Sequence, residues 1–540
     1  MQVLETDVLV IGAGSAGLRA SIEARRGGAS VVLLSKSKAG FGSCSTYAGG
    51  GMQGPFGSLT PEEHFRRTVL GGKFLNNQRL LEIMSFEAKE RLLELRDFGV
   101  DLRIGDGSVS VRGPFMLHGT GLTLPLLEFA RKSGVEIQED VTVVSLLDIE
   151  GEVGGAISLN RKDGQLTAFL ARSTILATGG AGQLYSRTDT PVGTTGEGYA
   201  MVYNAGARLV DMEFVQFFPF GLVEPGLPTF LFGPRAVEMG RVLNRNAEEF
   251  LITKGYRPGR DYRRCRDILS QIITTEILEG RGDQDAVLLD LSDPKESPWS
   301  SREELEDTKQ RWFRNVDLKE RRLHIAPLVH YFMGGVDTNE RCETGVPRLF
   351  AAGEITGGID GANRLGGNAL TMTLVFGARA GREAAEHAKV KNLLRVGIGE
   401  LDRIEGRLNE MKSRKGSSDE RPRDLKQRLR KTMMESVGVI RSQDSLMNAL
   451  NRIHELAGKC DDVCVTSPRE LSEAVELKGM VLVAEMVARS ALYRTESRGA
   501  HFRTDFPKED HTWLKNVQVV RSAGGMKLET REAIMTRLKP

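Results

Sequence analysis

Cysteine is scarce in this chain of 540 residues: it has 5, Cys44, Cys265, Cys342, Cys460 and Cys464. So few and so scattered, they do not form a disulfide framework, and they suit a reducing compartment. They also exclude an internal ferredoxin-type cluster domain, which needs four thiolates per cluster in a tight run. Cys460 and Cys464 lie one helical turn apart, but no second pair completes a ligand set, so no metal site is expected. Histidine is scarce too, at 8, which gives weight to any that falls within a motif. An excess of either charge is missing, since 74 Lys plus Arg face 72 Asp plus Glu. That balance leaves no electrostatic footprint for nucleic acid. No apolar run is long enough to span a bilayer. The opening MQVLETDVLVIGAG lacks the charged-then-apolar pattern of an export signal. A cytoplasmic location is expected, with any contact with the cytoplasmic face of a membrane made through a partner.

What is present is ample core material, 40% hydrophobic residues, in a chain long enough for several domains. DVLVIGAGSAG is a buried-strand run that ends in glycines and leads into a small-residue helix, Ser15 to Arg26; SVVLLS then reads as a second strand. This β-α-β unit predicts an α/β fold with a Rossmann-like domain on a parallel, doubly wound sheet. Gln78 to Phe98 has a helical pattern, GVEIQEDVTVVSLLDIEGEVGGAISLN reads as strands with a turn near Gly151, and STILATGG is another strand ending in glycines. After Phe220 the pattern becomes mixed, and GVPRLFAAGE restores the strand-then-glycine habit. The dinucleotide domain is therefore expected in two parts, 1–219 and 333–398, around an α+β capping domain at 220–332. A helical bundle is expected at 399–490, from the stripe of Leu425, Leu429, Met433, Val437 and Ile440 continued by Leu446, Leu450 and Ile453. A small C-terminal region, 491–540, follows. RKGSSDERPRD, residues 414–424, reads as an exposed loop between helices.

Gly12, Gly14 and Gly17 form G-x-G-x-x-G between a strand and a helix. The first glycine permits the tight turn, the second lets a pyrophosphate approach the backbone, and the third lets helix and strand pack closely. The helix N-terminus adds unpaired N–H groups and a partial positive charge. An acid for the ribose is absent at the end of the second strand, where Ser35 and Lys36 stand instead, which counts against plain NAD. ATGGAG, with Gly179, and AAGE, with Glu354, are returning glycine loops of the kind a large bridging cofactor needs.

These stretches, with SKSKAGFGSCSTYAGGGMQG, ATGGAGQLYSRTDTPVGTTGEGYAM, DMEFVQF, RRCRDILSQ, APLVHYFMGGVDT, LFAAGEITGGIDGANRLGGNAL and ESRGAHFRTDFPKED, resemble the flavoprotein subunit family of succinate dehydrogenase, fumarate reductase and L-aspartate oxidase nearly end to end. The resemblance implies FAD. It implies that Gly12, Gly14 and Gly17 hold the pyrophosphate and that Ser35 and Lys36 lie near the adenosine. It places Gly50 and Gly51 close to the flavin, Glu197 against the cofactor and Glu354 near the ribityl chain. It implies that Asn368 and Leu370 open a helix pointing at the flavin. Members that attach FAD covalently use a histidine before the Gly-Gly pair. Cys44 stands there in this chain and no histidine occurs between Met1 and Gln53, so non-covalent FAD is expected.

The resemblance also implies hydride transfer between flavin N5 and a carbon next to a carboxylate. Arg364 and His330 match the residues that hold that carboxylate; a planar guanidinium fork suits bidentate binding. Arg266 matches the proton-transferring arginine, with Asp267 to orient it. The chain departs from the family at the other end of the substrate. Phe218 and Phe220 replace polar residues, and a gap-free back-count puts Phe232 and Gly233 at a Thr-Glu pair and Ala236 at an arginine. An apolar wall makes a second buried carboxylate costly. The expected activity is thus oxidoreduction of a saturated acid and its α,β-unsaturated partner, not a plain C4 dicarboxylate, with a separate iron–sulfur protein as electron partner. L-Aspartate oxidase, or a non-catalytic flavoprotein electron relay, is the alternative. Loss of the Glu counts against L-aspartate, and the retained Arg266, His330 and Arg364 count against a relay.

Overall fold

The computed structural model describes residues 1–113, 117–262, 264–296, 305–306, 309, 316–317, 320–413 and 420–540. The expected loop at 414–424 falls largely on residues 414–419, outside the described residues.

The apolar run Val8–Ile11 ends the first strand, Gln2–Ile11, and is buried on both faces. It pairs in parallel with Val31–Leu34 on one side and Leu166–Leu176 on the other, with Leu9 opposite Val32 and Thr174. The glycine loop then turns the chain into helix Ser15–Arg26. Glu136–Gln138 extends the sheet beyond Val31–Leu34, and Leu349–Ala351 pairs in parallel with Leu166–Leu176. The sheet has 7 strands, but the wholly parallel sheet expected from sequence is corrected. Val141–Ile149 and Glu152–Asn160 form an antiparallel hairpin, and Glu152–Asn160 also pairs antiparallel with Leu166–Leu176. Its loop is Glu150 and Gly151, both at positive φ (55° and 84°). Such a two-residue turn matches the right-handed twist of paired strands and sends the chain straight back alongside itself.

The capping region is a second sheet, antiparallel throughout, in the order Phe230–Leu231, Val215–Leu222, Leu323–Phe332, Val287–Asp290, Arg241–Leu243. The strand Val215–Leu222, which belongs to this sheet, runs unbroken through residues 219 and 220. The helices Pro422–Ser436, Gln443–Lys459 and Pro468–Tyr493 pack together. Leu425, Leu429, Met433 and Val437 are fully buried in their core. Helix ends at Ser436, so Ile440 sits instead in a two-residue strand beside Phe502. The last strands, Lys515–Ser522 and Gly525–Glu532, join Leu209–Val210 and Gly335–Val336 in a separate sheet.

Two stretches distant in sequence, DMEF and ESR, meet in space behind the cap strand. Arg494 donates from Nε to Glu213 Oε1 at 2.6 Å and from Nη1 to Glu496 Oε1 at 2.9 Å. Asp211 accepts from Asn516 Nδ2 at 2.6 Å and from the Val517 amide at 3.0 Å. This fully buried ionic knot fixes the start of Val215–Leu222, and with it the side chains the strand presents to the cap.

Candidate active site

The glycine loop forms a cradle that added side chains would fill. Gly12 has φ +112°, and a Cβ there would stand 2.2 Å from the carbonyl oxygen of Ala177; one on Gly17 would stand 1.8 Å from the carbonyl oxygen of Gly12. At Gly14 the nearest such atom is Ser45 Oγ, at 3.5 Å, so its backbone remains open to a ligand. Gly12, Gly14, Ser35, Lys36, Gly179, Glu197 and Glu354 line one cleft, together with Cys44 and Thr178. The Thr178 hydroxyl is buried there without a hydrogen-bond partner. Lys36 is ion-paired to Glu197 and hydrogen-bonded to Thr195 at 2.8 Å. Glu354 accepts from the Phe332 amide at 3.1 Å, and burial pushes its carboxyl up to about 7. Glycine backbone, a helix N-terminus, an unpartnered hydroxyl and a lysine suit the phosphates and sugars of a dinucleotide.

Gly50 and Gly51 lie where the chain enters the strand Gly51–Gln53. That strand touches the start of helix Asn368–Val390: the Gln53 amide donates to Gly367 O at 3.2 Å, and Thr371 Oγ1 donates to Gln53 O at 2.6 Å. Helix begins at Asn368 after Gly367 in the left-handed conformation, with Leu370 buried in its first turn. The Asn368 side chain faces away into protein, bonding His64 Nε2 at 2.9 Å and Thr68 Oγ1 at 3.1 Å. Any part it takes in cofactor binding is through its backbone.

Arg266 and Arg364 converge from opposite sides. Arg266 opens the helix Arg266–Glu276 on the cap; Arg364 lies in the loop before Asn368. Arg364 donates from Nε and Nη2 to Gln216 Oε1, at 3.2 and 3.0 Å, and Arg266 Nη1 approaches the same oxygen at 3.4 Å. Gln216 is held by donating to Asn363 Oδ1 at 3.1 Å and Arg364 O at 2.9 Å. Arg266 Nε is buried with no hydrogen-bond partner. Burial and the neighbouring charge of Arg364 push Arg266 down to about 9. Neither arginine forms an ion pair among the described residues. Asp267 sits beside Arg266 in the first helical turn, where the helix N-terminus favours its charge, yet burial still pushes its carboxyl up. A Cβ on Gly366 would stand 3.0 Å from Arg266 Nη2, so this glycine leaves room for the guanidinium.

His330, on the strand Leu323–Phe332, meets Asp189 through Nδ1 and Oδ2 at 2.8 Å. The Phe218 ring lies 5.8 Å from the His330 ring and 5.0 Å beneath the Arg266 guanidinium. The strand is irregular between Gln216 and Phe217 and between Phe218 and Gly221, and the Phe218 and Phe220 rings meet edge to face at 6.2 Å. Phe220 packs into the cap core against Tyr262, at 5.1 Å, and does not line the open cavity. That cavity, of 1790 Å³, is bordered by His330, Asp189 and Phe232. The structure thus brings Arg266, His330 and Arg364 together around Phe218, with Asp267 next to Arg266; Phe232 stands on the cavity wall, and Phe218 and Phe220 lie behind it in the cap core. Sequence reasoning missed Gln216 and Asp189; both stand inside stretches it singled out, Gln216 two residues before Phe218.

A Rossmann-like cradle joined to an antiparallel cap that sets Arg266 against Arg364 is the design of a dinucleotide-dependent oxidoreductase. Residues 7–370 match the FAD binding domain family, and residues 426–540 the fumarate reductase flavoprotein C-terminal family. An uncharacterised FAD-dependent oxidoreductase of Methanocaldococcus jannaschii is 40% identical over 95% of this chain and 96% of its own length. A CoM/CoB fumarate reductase subunit of Methanothermobacter marburgensis is 37% identical over 96% of this chain and 98% of its own. The FrdA chain of E. coli quinol fumarate reductase superposes with TM-score 0.88 at 30% identity, covering 100% of this chain and 98% of that one. The chain belongs to the succinate dehydrogenase and fumarate reductase flavoprotein family, and is an FAD-dependent oxidoreductase.

Proposed function

We propose that this flavoprotein interconverts a saturated carboxylic acid and its α,β-unsaturated partner, and that its substrate carries one carboxylate and an apolar far end. The observation that carries this reading is the pair Arg266 and Arg364, two guanidiniums directed at one amide oxygen with no acid paired to either among the described residues. An arriving carboxylate can take up the donors that Gln216 satisfies only in part. FAD, when bound, supplies the hydride acceptor and donor. Arg364 and His330 hold and polarise the carboxylate, and Arg266 gives or takes the second proton. A guanidinium is a poor acid at its ordinary pKa above about 12; its lowered value here brings it nearer the carbanion-like carbon it must serve. Phe230, Leu231 and Phe232 make one stretch of the cavity wall apolar, and a second carboxylate left unpaired against it would cost several kcal/mol, on the order of what separates one substrate from another.

Partial burial and the nearby Glu354 carboxylate push the Cys44 thiol well up, which disfavours the thiolate a thioether link would need. FAD is therefore read as non-covalent; acid precipitation should leave the yellow colour in the supernatant. With 5 cysteines and, among the described residues, no helix able to cross a membrane, electrons are read as passing to a separate iron–sulfur protein, and any membrane contact as made through partners. The functional test is anaerobic: reduce the FAD-loaded protein and follow flavin reoxidation by fumarate, crotonate and cinnamate. Crotonate and cinnamate should reoxidise it. Rapid reoxidation by fumarate alone would sink the apolar end, and no reoxidation by any enoate would sink the reaction itself.

A further inference from the structure

His330 reaches the cavity from a strand, but its proton is decided from elsewhere. The loop Arg187–Thr190 is fastened along that strand: the Val329 amide donates to Arg187 O at 2.9 Å and Thr188 Oγ1 donates to Val329 O at 2.8 Å. Thr190 Oγ1 lies 3.0 Å from Thr188 Oγ1, closing the loop on itself. Asp189, between these two threonines, is thereby held with Oδ2 2.8 Å from His330 Nδ1. Its other oxygen, Oδ1, is buried with no hydrogen-bond partner. The Phe218 ring lies against the imidazole and restricts its rotation.

We propose that Asp189 is a positioning residue for His330: it accepts the Nδ1 proton, fixes the tautomer with Nε2 facing the cavity, and so couples carboxylate binding at Nε2 to the uptake of one proton. The proposal rests on the reading of this pocket as a carboxylate site. A neutral imidazole carries one N–H. With that N–H spent on Asp189, Nε2 offers only a lone pair, which repels a carboxylate. It becomes a donor only when His330 is the imidazolium.

The charged groups facing His330 are Asp189 from its loop, Arg266 from the cap helix and Arg364 from the loop before Asn368. Without a ligand, burial and the two guanidiniums push the imidazole toward its neutral form, against the pull of Asp189. An entering carboxylate offsets those charges, the imidazole takes a proton from solvent, and Asp189 stabilises the resulting cation from behind. An asparagine at 189 would keep the hydrogen bond but not the charge.

The test uses the oxidised, FAD-loaded protein with 15N-labelled histidine rings, the His330 signal being assigned by its loss in His330→Gln. At pH 8 without ligand His330 should be the Nδ1–H tautomer, and in Asp189→Leu the Nε2–H tautomer. Crotonate affinity, read from the flavin absorbance, should weaken about tenfold per pH unit above the pKa of His330, as uptake of one proton requires. Asp189→Asn should bind crotonate at least about tenfold more weakly at pH 7.5 and recover as pH falls, while Asp189→Glu restores affinity. An Nε2–H tautomer in the unmodified protein, or crotonate affinity independent of pH, overturns the proposal. If His330 is the Nδ1–H tautomer but neither crotonate nor fumarate binds, the carboxylate reading and the proton uptake fall together, while the Asp189–His330 pairing stands.

Discussion

Arg494 is fully buried and Arg266 partly so, and their surroundings are opposite. Arg494 is well supplied with acceptors: besides Glu213 and Glu496 it donates to the carbonyls of Trp513 at 3.1 Å and Lys515 at 2.7 Å. Arg266 has a third share in one amide oxygen and a buried Nε with no partner. A buried charge is tolerated for structure when its neutralising partners are built in. One left short of partners stores unfavourable energy that a ligand can relieve, which is why such groups mark functional sites. Two arginine-bearing motifs thus do different work, and what separates them is the count of acceptors, not the residue type.

Substitution should separate them sharply. Arg266→Met should lower the rate of enoate reduction by about 10³- to 10⁴-fold, the range for loss of a proton-transfer group, in single-turnover flavin reoxidation. Its urea midpoint should stay level or rise, because an uncompensated charge has gone. A variant that reduces enoates normally would remove Arg266 from the chemistry. Arg494→Met should do the reverse. It strands Asp211 and Glu213, and breaking a buried pair from one side costs about 3–5 kcal/mol. The readout is the denaturation midpoint, and a variant as stable as its parent would break the contrast.

A third test asks whether the acceptor-poor site takes an anion. Crotonate at 100 times its Kd should stabilise the FAD-loaded protein by about 2.7 kcal/mol, by mass action alone. Arg364→Met should lose this stabilisation while keeping its flavin. Equal stabilisation of both proteins would place crotonate elsewhere.

The sequence showed the parts whose rules are local. The glycine loop is legible because only glycine fits beside Ala177 O and Gly12 O, and the start of helix at Asn368 because a glycine precedes it. Arg266, His330 and Arg364 were legible through their motifs. The antiparallel hairpin was not, although its glycine was noticed, because a turn residue does not declare which strands flank it. The position of Phe220 behind the cavity wall depends on the irregular register between Phe218 and Gly221, which alternation alone does not reveal. Gln216 and Asp189 were missed because each acts on a residue more than a hundred positions away: Arg364 for Gln216, His330 for Asp189.

The smallest expected effect is also the most diagnostic of what Arg266 does. Burial and Arg364 hold it near 9 in the empty pocket. At saturating substrate the binding proton of His330 is already in place, so kcat isolates the later step. In reduction Arg266 must start protonated; kcat should be flat at lower pH and fall about tenfold per pH unit above the break. In oxidation it must start deprotonated, so kcat should climb about tenfold per pH unit up to the same break and then level. The break should lie at or above about 9, since a bound carboxylate restores part of the negative charge that Arg266 lacks. Asp267 and Glu354 would give the same opposed limbs, but with a break near the raised carboxyl values, about 7 for Glu354. A break near 7 would therefore transfer the proton from Arg266 to a neighbouring carboxyl. It would also leave Arg266 as a second carboxylate clamp, and the contrast with Arg494 would then concern binding alone.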